Sequence, residues 1–175
     1  MTVDIRPWHL EDKPNLLKYA ANVNIFNNMT DSFPNPYTED RAEMFLQMAI
    51  SGTGPLLMAI TVDGEPVGSI GLHPQFDIQR KNAELGYWLG EPFWGKGIMT
   101  IAVPKMTTHG FKQTEVNRIF AKPFGRNKGS QKVLEKSGYI LEAVIKDGFY
   151  KNGQYEDELI YAVRRKEWME KLNLL

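Results

Sequence analysis

Two glycines, at positions 95 and 97, stand between an apolar segment and a helical one in the run Glu84-Leu-Gly-Tyr-Trp-Leu-Gly-Glu-Pro-Phe-Trp-Gly-Lys-Gly-Ile-Met-Thr100. Such a turn lets several backbone N–H groups converge on an anion at the positive end of the following helix. The dinucleotide pattern G-x-G-x-x-G fails at Thr100, and the chain has no G-x-x-x-x-G-K-[ST]. The turn predicts a phosphate site of another kind; the alternative is an ordinary strand-to-helix turn.

Alternating strand and helix patterns surround this turn. Strands are predicted at residues 3–6, 56–62, 66–73, 81–90, 118–124, 139–146 and 157–164. Helices are predicted at 10–20, after Thr38, at 97–112 and at 127–137, with a long loop over 22–38. A right-handed β-α-β unit at 81–124 within an otherwise antiparallel sheet indicates a mixed α/β fold. Pro104 should bend the third helix near Val103.

Composition excludes several classes of protein. With 21 basic and 21 acidic side chains the formal net charge is zero, so no global field favours nucleic acid or an anionic membrane. The absence of cysteine excludes disulfides, thiolate metal sites and a thiol nucleophile. No signal peptide or membrane span is evident, which predicts a soluble cytoplasmic protein. The 175 residues predict one domain over 1–175.

Further motifs follow the turn in a fixed order: Phe93-Trp94 before the glycines, then Asn127-x-x-Ser130, then Glu135-Lys-Ser-Gly-Tyr139. The combination resembles the GCN5-related N-acetyltransferase (GNAT) superfamily, and within it the ribosomal-protein N-terminal acetyltransferases of the RimJ/RimL type. The resemblance runs from Ile5-Arg-Pro-Trp8 to Asp157-Glu-Leu-Ile-Tyr161. It implies a mostly antiparallel sheet with one splayed parallel strand pair, flanked by helices, with acetyl-coenzyme A as co-substrate and a primary amine as acceptor.

The resemblance also implies which residues meet acetyl-coenzyme A. The pyrophosphate cradle, acting through main-chain N–H groups, would be Trp94, Gly95, Lys96, Gly97, Ile98 and Met99. The strand edge at Trp88, Leu89 and Gly90 would meet the extended pantetheine arm. Asn127 is either a helix N-cap or a ligand to the pantetheine amides, or both. The family usually opens the loop with Gln or Arg, and Pro92 here removes one donor.

Attack of an amine on a thioester requires a proton acceptor, because a free amine is mostly protonated at pH 7. Ala83-Glu84-Leu85 matches the family context of the catalytic glutamate, so Glu84 is the predicted base; the alternative is a solvated or salt-bridged carboxylate. The ribosomal branch uses the matching serine as its proposed proton donor, so the resemblance implies that Ser130 hydrogen-bonds to the leaving thiolate; the alternative is an ordinary first-turn serine. The family's tyrosine position holds Leu134. Without cysteine, direct transfer in a ternary complex is expected.

Two segments, 28–37 and 147–155, flank the acceptor cleft in this superfamily, and the alternative for their aromatic residues is packing. The predicted substrate-binding residues are Phe33, Tyr37, His73, Phe149 and Tyr150. None of the three histidines has metal-ligand spacing, so no metal is expected. The ribosomal branch carries an acidic residue where this chain has Phe149, so a small-molecule amine stays open beside a protein N-terminus. The remaining alternatives are a non-catalytic acyl-coenzyme A-binding or sensing module and a nucleotide-binding protein; either a monomer or a homodimer is expected.

Overall fold

A computed structural model describes residues 1–173, in which strands and helices alternate along the chain. The strands are β1 (Val3–Pro7), β2 (Leu56–Val62), β3 (Glu65–Pro74), β4 (Asn82–Leu89), β5 (Arg118–Ala121), β6 (Ile140–Lys151) and β7 (Gln154–Arg164). The helices are α1 (Lys13–Ala20), α2 (Val23–Phe26), α3 (Glu39–Ser51), α4 (Met99–Gln113), α5 (Lys128–Lys136) and α6 (Arg165–Lys171). Short 3-10 turns cover Leu10–Asp12, Asp77–Gln79 and Glu91–Phe93.

The seven strands form one sheet in the order β1-β2-β3-β4-β5-β7-β6. β4 and β5 run parallel from Asn82↔Arg118 to Glu84↔Phe120, whereas β7 is antiparallel to both β5 and β6. The parallel pairing ends at Glu84 although β4 continues to Leu89. This confirms the predicted mixed α/β fold with one splayed parallel pair in a mostly antiparallel sheet.

The first of two compact units comprises Met1–Gly71 and Tyr87–Ala102. In it α1 packs against α3, and Leu46 of α3 is buried. The ring of Trp8 meets Phe45 edge-on, with centroids 5.5 Å apart. Each large apolar side chain buried here stabilises the fold by about 1.5–3 kcal/mol, so this packing holds α1 and α3 together.

The second unit comprises Leu72–Gly86 and the described residues from Val103 onward. The β6–β7 hairpin spans Ile140↔Ala162 to Lys151↔Gln154. The guanidinium of Arg165 closes the end of α4 by donating to three backbone carbonyls, those of Phe111, Thr114 and Val116. The single domain expected over residues 1–175 stays a prediction.

Several local predictions are confirmed. The Thr38 hydroxyl accepts a hydrogen bond from Arg41 N and begins α3. Asp63 and Gly64 form the turn between β2 and β3. α4 continues through Pro104; its expected bend stays a prediction. No helix within residues 1–173 has the length and apolar character needed to cross a membrane.

Other local predictions are wrong. The loop expected over 22–38 contains α2, because the Asn22 side chain accepts hydrogen bonds from Asn24 N and Ile25 N and caps a short helix. β5 ends at Ala121 rather than at 124, and α6 follows β7 without having been predicted. The final two strands extend beyond 146 and before 157 into one long hairpin.

Candidate functional site

The glycine turn lies in the first unit, between β4 and α4. Gly95 has φ 73° and Gly97 has φ 77°, both in the left-handed region that favours glycine. A Cβ added at Gly95 would meet nothing within 4 Å, and one added at Gly97 would meet only Thr100 Oγ1, at 3.7 Å. The backbone conformation, rather than crowding, therefore requires glycine at both positions.

Backbone amides of the turn lead into the first turn of α4. The first hydrogen bonds at the N-terminus of α4 run from Thr100 N to Gly97 O, at 3.1 Å, and from Ile101 N to Ile98 O, at 3.0 Å. The N–H groups before these have no intrahelical acceptor, as at any helix N-terminus. The side chains of Ile98 and Met99 are buried while Gly95, Lys96 and Gly97 are exposed. Any contribution of Ile98 and Met99 to an anion site would therefore come from the main chain, and that contribution stays a prediction.

The end of β4 is tied to the glycine turn. Trp94 Nε1 donates to Leu89 O at 2.7 Å, and Gly90 N donates to Val67 O of β3 at 2.8 Å. Because successive strand amides point to opposite edges, the N–H of Leu89 points away from β3. The Gly90 amide, one of the groups predicted to bind the pantetheine arm, already donates to Val67 O. The Leu89 N–H is therefore the better candidate for a hydrogen bond to that arm.

Phe33 and Tyr37, which are predicted to bind the acceptor, form an aromatic cluster with Trp88 in the first unit. The Phe33 ring lies 5.4 Å from the Tyr37 ring and 6.2 Å from the Trp88 ring, between centroids. Burial raises the pKa of Tyr37 to about 12. The Tyr37 hydroxyl therefore stays protonated at neutral pH and can act only as a neutral hydrogen-bonding group.

Glu84 lies in the second unit, half-buried on β4. Lys122 Nζ is 3.3 Å from Glu84 Oε2 and 4.0 Å from Glu158 Oε1. Glu84 is thus a salt-bridged strand carboxylate, the alternative left open by the sequence; this pairing leaves the role of base as a proposal. Neither Lys122 nor Glu158 was predicted from the sequence as a site residue. Lys122 follows Phe120, the β5 partner of Glu84, by two residues, so strand alternation would have found it had the register been known.

His73 stands beside this ion pair. A Cβ placed on Gly86 would lie 3.4 Å from His73 Nε2, and Gly86 shares a strand face with Glu84 because the two are two residues apart. Desolvation lowers the pKa of His73, and the negative charge of Glu84 opposes this only in part. The imidazole is therefore mainly neutral at pH 7.

The lowered pKa of His73 predicts a pH-dependent loss of stability. Its folded-state value lies below the ordinary 6.5, so the unfolded chain binds the proton more readily and the free energy of unfolding falls as pH drops below about 6.5. We expect His73→Gln to lose less stability than the wild type between pH 7 and pH 5. Urea unfolding at both pH values measures this; equal losses in the two proteins would contradict it.

The start of α5 contains the predicted Asn127 and Ser130. Asn127 Oδ1 accepts a hydrogen bond from Ser130 N at 3.1 Å, which confirms the N-cap. Ser130 is half-buried, on the same helix face as the buried Leu134 and Ser137. The cap engages the side-chain oxygen of Asn127, so any contact to a ligand amide carbonyl would come from its Nδ2.

Phe149 and Tyr150 lie on β6 near the tip of the hairpin. The Phe149 ring packs 4.9 Å from that of Phe124, and the Tyr150 ring 5.1 Å from that of Tyr155. Adjacent strand residues face opposite sides of a sheet, so the hairpin separates the two predicted acceptor contacts. Within residues 1–173, no three histidine or carboxylate side chains are grouped to hold a metal ion.

Two curated proteins are similar to this chain in sequence. YdaF of Bacillus subtilis (strain 168) is 39% identical over 106 residues, which cover 61% of this chain and 57% of YdaF. The ribosomal-protein-serine acetyltransferase of Escherichia coli (strain K12) is 31% identical over 106 residues, covering 61% of this chain and 59% of that protein. The chain thus matches little more than half the length of these relatives.

The fold is shared along nearly the whole chain with RimL, a ribosomal L7/L12 alpha-N-protein acetyltransferase solved in complex with coenzyme A. That structure superimposes with a TM-score of 0.82 at 24% identity, covering 94% of each chain. The family model for an acetyltransferase (GNAT) domain matches residues 3–140, from β1 through the glycine turn and α5. Since this match covers most of the chain and includes the turn between β4 and α4, the chain belongs to the GNAT acetyltransferase family.

Proposed function

We propose that the chain is an N-acetyltransferase that moves an acetyl group from acetyl-coenzyme A to a primary amine. The observation that carries the proposal is the turn at Gly95 and Gly97, where exposed left-handed backbone leads into the N-terminus of α4. A helix N-terminus preceded by such a turn suits an anion. The family match supports acetyl transfer as the reaction class.

The turn would hold the pyrophosphate of acetyl-coenzyme A through main-chain N–H groups. Lys96 is exposed, and its ammonium lies 5.5 Å from the Phe93 ring centroid, beside the turn. That positive charge would add to the helix dipole and compensate in part for the donor absent at Pro92. The Leu89 N–H would meet the pantetheine arm or the thioester carbonyl.

Glu84 is the proposed general base. A primary amine with a pKa of about 8–10.4 must lose a proton before it attacks the thioester carbonyl. The Glu84 carboxylate would accept that proton, through a water molecule because its Oε2 already meets Lys122. Attack forms the amide bond and breaks the C–S bond, and the Ser130 hydroxyl would donate a hydrogen bond to the departing thiolate.

In the first unit, the proposed acceptor contacts are Phe33 and Tyr37. In the second unit, they are His73 and one face of the β6–β7 hairpin. Phe149 and Tyr150 face opposite sides, so only one of them can contact the acceptor from this hairpin. The similarity to a ribosomal-protein-serine acetyltransferase supports a protein N-terminus. The absence of an acidic residue at Phe149 favours a small-molecule amine, and an acceptor screen has to include both.

We expect direct transfer without an acetylated enzyme, because the chain has no cysteine to form an acetyl-thioenzyme. A screen of N-terminal peptides, polyamines, aminoglycosides and amino acids, followed by free-thiol release, identifies the acceptor. Initial-rate lines for varied acetyl-coenzyme A at several acceptor concentrations should then intersect. Parallel lines with an acetyl mass increase on the isolated protein would contradict direct transfer. Coenzyme A binding without thiol release for any amine would favour a non-catalytic binding module.

A further inference from the structure

Lys122 lies between two carboxylates that come from different strands. Its ammonium is 3.3 Å from Glu84 of β4 and 4.0 Å from Glu158 of β7. The side chain of Glu84 is 31% exposed and that of Glu158 only 15%. Partial burial weakens solvent screening, so both ion pairs matter more than pairs on an open surface.

Glu158 is held in place by the opposite strand. A Cβ at Gly148 of β6 would lie 2.8 Å from Glu158 Cβ, and 3.0 Å from Glu158 Oε2. Only glycine leaves room for the Glu158 side chain at this point. Gly148 therefore limits the space on one side of the Glu158 side chain. Without the lysine, the Glu158 carboxylate would act on Glu84 with its charge uncompensated.

The other charged groups around Glu84 do not replace Lys122. His73 from β3 is mainly neutral at pH 7 because desolvation lowers its pKa. Arg118 of β5 is engaged by Glu142 at 2.6 Å and by the Asn82 side chain at 3.2 Å. Within residues 1–173, the ion pair of Glu84 is the one with Lys122.

We propose that Lys122 is a positioning residue for acetyl transfer, which offsets the charge of Glu158 beside the Glu84 carboxylate and holds that carboxylate along the face it shares with Gly86. The proposal rests on Glu84 being the base of the proposed function. A nearby ammonium favours the ionised form of a carboxylate, and a nearby carboxylate disfavours it. Lys122 therefore offsets the charge of Glu158, and removing Lys122 is expected to change the pH dependence of acetyl transfer.

Three variants test the proposal through the pH profile of kcat/KM. In Lys122→Met, the acidic limb, the pH below which kcat/KM falls, should rise by about one pH unit or more, which is the typical effect of losing a nearby opposite charge. Lys122→Arg should restore the wild-type limb because it retains the charge. Adding Glu158→Gln to Lys122→Met should move the limb back down. A purely structural role would lower Tm without moving the limb, so superimposable profiles for Lys122→Met and wild type overturn the proposal.

A second readout does not depend on turnover. The ¹³C NMR shift of the Glu84 side-chain carboxyl, assigned by its loss in Glu84→Gln, can be titrated in wild type, Lys122→Met and Lys122→Gln. We expect the midpoint to rise in both variants; an unchanged midpoint overturns the proposal even if no acceptor is found. If instead Glu84→Gln retains full activity while the midpoint rises, the ion pair controls Glu84 but Glu84 is not the base, and the proposed mechanism fails separately.

Discussion

Glu84→Gln is expected to lower turnover by roughly 10² to 10⁴, the usual contribution of a positioned general base. The amide cannot accept the amine proton, although it is nearly isosteric with the carboxylate. The thermal stabilisation given by coenzyme A should stay close to the wild-type value, because the proposed pyrophosphate contacts are backbone groups of the glycine turn. Steady-state kinetics and a thermal shift assay measure the two quantities.

A matched control is Glu115→Gln. Glu115 pairs with Lys81 at 3.6 Å, so this substitution also removes an ion-paired carboxylate, but the Glu115 side chain is 94% exposed. We expect turnover near the wild-type value in this variant. If Glu84→Gln keeps full activity at every pH, the amine loses its proton without a protein base. The enzyme would then contribute by positioning the two substrates.

Coenzyme A or acetyl-coenzyme A is expected to raise the melting temperature of the wild type, and Gly97→Val is expected to abolish that rise. At a hundredfold its dissociation constant, a ligand that binds only the folded protein adds about 2.7 kcal/mol. Valine at φ 77° is strained, and its side chain would fill space around the turn where a Cβ meets only Thr100 Oγ1, at 3.7 Å. Both effects should disrupt the proposed anion site.

Gly64→Val controls for the strain alone. Gly64 has φ 89° in the β2–β3 turn, and a Cβ there would meet nothing within 4 Å. This variant should lose stability but keep its coenzyme A-dependent shift. A shift of wild-type size in folded Gly97→Val would remove the glycine turn from the proposed site.

Local signals in the sequence predicted the parts of the fold that are determined locally. The helix starts at Thr38 and Asn127 were predictable because a capping side chain bonds to an amide two or three residues away. The two glycines predicted the turn because the ability to adopt positive φ is a property of the single residue. The family resemblance supplied the splayed strand pair, which no local pattern encodes.

Features that depend on tertiary contacts were not predictable. Met44 and Met48 lie one helical turn apart on α3, yet both side chains are exposed while Ala42 and Leu46 are buried. Which face of α3 is buried depends on where α1 packs. The pairing of Lys122 with Glu84 and Glu158 likewise depends on the register of strands far apart in sequence, which the sequence does not reveal.

The hydrogen bond from Trp94 to the Leu89 carbonyl has a consequence for the entropy of ligand binding. It joins the two ends of the segment between β4 and the glycines, with an indole nitrogen 2.7 Å from the carbonyl oxygen. A loop fastened in this way loses less conformational freedom when a ligand arrives, so more of the contact energy is expressed as affinity. Preorganisation of the proposed phosphate site would thus depend on an aromatic side chain that need not touch the phosphate at all.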